Sequence, residues 1–208
     1  MKNASLTMDS VDLRPGDVLL FPVSGYGIFN PLARLLMKYG HVALYYTETK
    51  RDLPLIIESI GRGVLIRSLY CYDGVEVTVM RPEQDGGLGE RAAKAAERIA
   101  DCPGSWYGYF DIPRFVLPKL ILARLGALLP ERVRKALFLL CHTYRHNSVY
   151  ICSELVAQAY ENAGCPLVEA DTIPLPDDLA CSPTLRLVGT VVPAGPDPDD
   201  ANSEEVTV

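Results

Sequence analysis

Two β-prone runs, Gly40-His41-Val42-Ala43-Leu44-Tyr45-Tyr46 and Leu53-Pro54-Leu55-Ile56-Ile57-Glu58, flank a short polar stretch, Thr47-Glu48-Thr49-Lys50-Arg51-Asp52. Apolar runs around a short polar link read as a β-hairpin. This pairing constrains the chain more than any other feature, because it commits both segments to one sheet. A turn centred between Thr49 and Lys50 sets Tyr46 opposite Leu53, Leu44 opposite Leu55, and His41 opposite Glu58. Directly opposed residues have Cβ atoms about 4.5–5.5 Å apart and share a face. In that register the carboxylate of Glu58 can fix one nitrogen of the His41 imidazole and leave the other free to act on a third group. A slip of one residue would put Glu58 on the opposite face.

The third group is a thiol. The run Tyr150-Ile151-Cys152-Ser153-Glu154-Leu155-Val156-Ala157-Gln158-Ala159-Tyr160 reads as a helix that starts near Cys152 and stops at Gly164, with Pro166 beyond. A cysteine at a helix N-terminus gains thiolate character from the helix dipole and the first backbone N–H groups. Cys152 with His41 as base is the minimum chemistry of a cysteine hydrolase or acyltransferase, and Glu58 is the third, orienting member. The remaining cysteines, Cys71, Cys102, Cys141, Cys165 and Cys181, are read as buried small hydrophobes. Cys141, His142 and His146 suggest a metal, but no fourth ligand or cysteine pair accompanies them, so neither a metal nor another cofactor is expected. Ser153-Glu154 lacks the Gly-x-Ser-x-Gly elbow of a serine nucleophile.

In the order His, acid, Cys, the segments Gly40-His41-Val42-Ala43-Leu44-Tyr45, Ile56-Ile57-Glu58-Ser59 and Tyr150-Ile151-Cys152-Ser153-Glu154-Leu155-Val156 resemble the circularly permuted, papain-like NlpC superfamily, in its YiiX/YaeF-like branch. The opening Leu13-Arg14-Pro15-Gly16-Asp17-Val18-Leu19-Leu20 resembles that family's first turn and strand. Gly104-Ser105-Trp106-Tyr107-Gly108-Tyr109 resembles its Gly-x-x-Tyr-Asp element, with Gly108 where the Asp is common. The resemblance spans about residues 12–188. It implies an α+β permuted papain-like fold, with a small antiparallel sheet or barrel packed against helices. It also implies Cys152 as nucleophile, His41 as base, Glu58 as orienting group and Tyr107 beside the substrate or oxyanion site. The implied substrates are peptide amides of the cell-wall type or acyl lipids, and the sequence does not choose between them. A non-catalytic lipid- or peptide-binding protein on the same fold is the alternative, and the full Cys-His-Glu set argues against it.

The 208 residues are 49% hydrophobic and 22% charged, which suits one domain, expected over residues 1–192. Net charge is −6, and nothing in it points to nucleic acid. Residues 193–208 hold five acids and no base, so the chain without them carries −1. This Pro-rich acidic stretch is expected to be a disordered tail. Residues 1–10 have no apolar core of the signal-peptide type, and the scattered cysteines suit a reduced compartment, so a cytoplasmic protein is expected.

Residues 89–100 form an Ala-rich helix, and 75–80 alternate as a strand. Residues 112–146 carry seven Lys or Arg and one acid among Leu- and Ile-rich clusters broken by Pro. Those breaks exclude a span of about 20 apolar residues. A helical hairpin inserted over the site is expected. It is either a packed elaboration with solvated cations, the reading favoured, or a lipid-facing surface that touches membranes reversibly.

Overall fold

The run Val18-Leu19-Leu20-Phe21 is apolar at every position, as a strand buried on both faces must be. The structure, a computed structural model, bears this out in an α+β chain. It describes residues 6–7, 11–23, 37–48, 53–84, 86–102, 106–107, 121–122, 126–142, 149–169 and 174–194. The strands are β1 (Leu6–Thr7), β2 (Val18–Pro22), β3 (Tyr39–Glu48), β4 (Pro54–Ile60), β5 (Gly63–Ser68), β6 (Val77–Pro82), β7 (Trp106–Tyr107), β8 (Val149–Tyr150) and β9 (Leu185–Val192). The helices are α1 (Leu88–Ala100), α2 (Glu131–His142), α3 (Cys152–Asn162) and α4 (Pro176–Ala180).

Seven strands form one sheet in the order β1-β9-β6-β2-β3-β4-β5. Six of them run antiparallel, and the short β1 joins β9 in parallel. Both faces are buried with the period of two that strand geometry imposes. Val18, Leu20, Val42, Leu44 and Ile57 pack with α1 and α3. Leu19, Phe21, Ala43, Tyr45 and Ile56 join Leu69, Tyr72, Val77 and Val79 in a second core on the other face.

Helix α1 presents Ala92, Ala93, Ala96 and Ile99 to the core, and these small side chains let it lie close against the sheet and α3. Its first turn touches the Pro15-Gly16-Asp17 turn. Gly16 has φ +91, and a Cβ there would fall 2.2 Å from the Cα of Gly89, so only glycine fits. Asp17 is buried and chelates Arg81 of β6: Nε donates to Oδ1 and Nη2 to Oδ2, both at 2.7 Å. The Tyr160 hydroxyl of α3 donates to the Gly16 carbonyl at 2.6 Å. The opening turn therefore fastens α1, β6 and α3 to one another.

The β3–β4 hairpin forms, but two residues out of the expected register. Leu44 opposes Ile57 rather than Leu55, and a bulge at Tyr46 carries the pairing on to Thr47 and Leu55. On the His41 side of the bulge the shift is even, so the side chains there keep their faces, whereas an odd shift would have reversed them. His41 and Glu58 thus share a face as diagonal rather than directly opposed neighbours.

The cysteine reading needs correction. Cys71, Cys102 and Cys181 are exposed and Cys165 is half-buried, while Cys152 is buried; all five are free thiols. The Cys141 side chain lies outside the described residues. Pro193 still belongs to the fold, since its carbonyl accepts from the Gly74 N–H at 3.0 Å. The rest of the expected tail, from residue 195, lies outside the described residues. Of the 112–146 segment, the expected second helix is present as α2, with an i,i+4 pair of Lys135 and Glu131 at 2.8 Å. Residues 112–120, 123–125 and 143–146 lie outside the described residues. Leu128 is 82% exposed and Val133 44%, so part of the apolar surface here is not packed on the domain. Among the described residues, no helix is long and apolar enough to cross a membrane.

Candidate active site

Cys152 is the first residue of α3. Ile151 before it is extended, and its N–H donates to Glu154 Oε2 at 3.0 Å, which fixes where the helix starts. The first N–H groups of a helix have no partner inside it, so the backbone at Cys152 and Ser153 presents donors and the positive end of the dipole. The Ser153 hydroxyl is turned away, donating to the Pro174 carbonyl at 2.7 Å.

His41, near the start of β3, and Glu58, near the end of β4, meet at 2.8 Å between Nε2 and Oε2. With Nε2 engaged by the carboxylate, Nδ1 is the nitrogen left for the thiol of Cys152, which interacts with the imidazole. The backbone N–H groups of Val42 and Ser153 also face the sulfur. Exposure is 7% for Cys152, 4% for His41 and zero for Glu58.

Burial alone would discharge all three groups; their mutual charges reverse it. Burial pushes the Cys152 thiol up, but the His41 charge and hydrogen bond, with the Val42 and Ser153 N–H groups, hold it below its ordinary value. Burial pulls His41 down, but Cys152 and then Glu58 raise it to about 9. Burial pushes Glu58 up, but His41, the Tyr72 hydroxyl and the Arg67 charge hold it below the usual carboxylate range. The three groups stand in series, and the charged form of each favours the charged form of its neighbour.

Three partners escaped the sequence reading. Arg67 Nη1 donates to Glu58 Oε1 at 2.9 Å. The Tyr72 hydroxyl donates to Glu58 Oε2. Ser59 Oγ donates to the Tyr150 carbonyl at 2.6 Å, tying β4 to the strand that leads into Cys152. Arg67 was reachable from the sequence. The Gly61-Arg62-Gly63 turn sets Glu58 opposite Leu65, so Arg67 falls on the same face one diagonal away. Ser59→Ala should destabilise the fold by about 1 kcal/mol through the lost hydrogen bond. It should also slow Cys152 alkylation; denaturant melts and labelling rates check both, and wild-type values in each would show that the contact does not hold the nucleophile.

The backbone of Tyr107 pairs in parallel with Tyr150, two residues before Cys152; its side chain lies outside the described residues. Among the described residues, no group of three or more His, Cys, Asp or Glu could hold a metal ion. The side chains of His142 and His146 lie outside them. No protein-family model and no curated protein sequence matches the chain.

Proposed function

We propose that this protein is a thiol-dependent hydrolase or acyltransferase that opens amide or ester bonds through Cys152, His41 and Glu58, on a permuted papain-like fold of the NlpC type. The observation that carries the reading is the buried series of Cys152 at a helix start, His41 and Glu58, with the thiol held low and the imidazole raised to about 9. A structural cysteine has no need of a charged partner.

In this mechanism the Cys152 thiolate attacks the carbonyl carbon, and negative charge moves to the carbonyl oxygen. The Cys152 N–H at the start of α3 is one donor to that oxygen. The His41 imidazolium gives its proton to the leaving amine or alkoxide as the carbon–heteroatom bond breaks, leaving a thioester on Cys152. Neutral His41 then takes a proton from water, or from an acceptor alcohol or amine, whose oxygen or nitrogen displaces the thiol. Glu58 holds the ring through both steps. Tyr107 is assigned to the substrate side of the site. Peptide amides and acyl lipids are the two substrate classes, and the exposed Leu128 and Val133 among Arg132, Arg134 and Lys135 suit the second, through reversible contact with an anionic membrane surface.

The test is trapping. An activated acyl ester mixed with the protein and quenched in acid should leave one acyl group on the peptide containing Cys152, released by hydroxylamine. Cys152→Ala should carry none. Acylation elsewhere, or none on Cys152 with any ester or amide, would defeat the proposal.

A further inference from the structure

The Glu58 carboxylate is held by more than one imidazole requires. It is wholly buried, yet Oε2 accepts from both His41 Nε2, at 2.8 Å, and the Tyr72 hydroxyl, while Oε1 accepts from Arg67 Nη1 at 2.9 Å. Arg67 lies on β5, and Tyr72 ends the 3-10 turn Leu69–Tyr72 that follows it. One short stretch of chain therefore delivers both.

On the footing of the thiol chemistry proposed above, we propose that Arg67 and Tyr72 are positioning residues: a clamp that keeps Glu58 ionised and aimed at His41, and so sustains the Cys152–His41 charge pair in mildly acidic solution. An isolated carboxylate taken out of water takes up a proton rather than stay charged. Arg67 supplies the counter-charge and remains cationic at any working pH. Tyr72 fixes the rotation of the carboxylate, because a plane held at both oxygens from three directions has one orientation left. Phe21 gives the arrangement a common wall, with its ring 4.2 Å from that of Tyr72 and 5.4 Å from that of His41. Among the described residues, the charged and titratable groups that bond Glu58 are His41 from β3, Arg67 from β5 and Tyr72 from the turn. Cys152 acts on it through His41, and Cys71 lies against Arg67.

Removing the Arg67 cation favours protonation of Glu58 and of Cys152 alike, so both effects move in one direction. The test measures iodoacetamide labelling of Cys152 against pH in the full-length chain. Arg67→Gln should shift the acid limb up by about one pH unit, and Tyr72→Phe by about half a unit. Arg67→Lys should restore most of the lost range. Should Arg67→Gln fail to fold, Tyr72→Phe decides, because it keeps the ring on Phe21 and removes only the hydroxyl. Profiles of Arg67→Gln and Tyr72→Phe that superimpose on wild type, while His41→Ala still slows labelling, would overturn the clamp alone. Coincident profiles for wild type and His41→Ala would overturn the thiol chemistry beneath it.

Discussion

Iodoacetamide near about pH 6 should alkylate Cys152 ahead of the exposed Cys71, Cys102 and Cys181. His41→Ala should slow that reaction more than about tenfold. Exposure favours the other thiols, so charge has to decide the order. The charge of the facing His41 holds the Cys152 thiol below its ordinary value. Losing the imidazolium costs about tenfold in thiolate for each unit the thiol rises, while the more basic sulfur regains about threefold in nucleophilicity. The loss of thiolate therefore outweighs the gain in nucleophilicity, and the reaction slows. The wild-type rate should fall in acid as the thiolate is protonated, and change again near pH 9, where His41 gives up its proton. A His41→Ala profile that matches wild type would show that the imidazole does not govern the thiol.

Asp17→Asn should be the most damaging single change to stability, by about 3–5 kcal/mol, as expected when one partner of a buried ion pair is removed. Asp17 accepts both Arg81 donors and the Arg14 N–H at 2.9 Å. The amide cannot offer two charged oxygens to the guanidinium, which is nearly buried on β6. The melting temperature should fall by roughly 10 °C or more in a domain of this size. The loss should also reach the active site, because the same turn holds Tyr160 and so the placement of α3. Labelling of Cys152 should slow in whatever fraction stays folded. A double variant, Asp17→Asn with Arg81→Met, should recover part of the stability. A melting temperature within a few degrees of wild type for Asp17→Asn would mean the pair is replaceable.

What the sequence made legible was local or periodic. Helix α3 showed itself by its apolar spacing and Gly164, and α1 by its alanines. The shared face of His41 and Glu58 survived a wrong register because side chains repeat every second residue. The bulge itself was hidden: Tyr45 and Tyr46 are equally good strand residues, and nothing marks the second as the one left out of the ladder. The pairing of β9 with β6 and with β1 joins segments far apart in the chain, which no local pattern encodes. Burial of the cysteines failed for the same reason, since a small side chain such as Cys71 carries no sign of which way its backbone turns. Tyr72 was missed because it sits on a 3-10 turn rather than on a strand whose alternation could have placed it.

The pairing of β7 with β8 bears on how this chain can vary. Trp106 and Tyr107 lie beside Val149 and Tyr150, so this ladder holds together the two ends of residues 108–148. On the returning side, the Ser59 hydroxyl and the Glu154 carboxylate pin the backbone within two residues of Cys152. Closing a longer loop costs little, about 0.6 kcal/mol for each doubling of length. A change in the length of residues 108–148 therefore acts on a loop whose ends are already joined, and it leaves intact the ladder and the two hydrogen bonds that lead into Cys152.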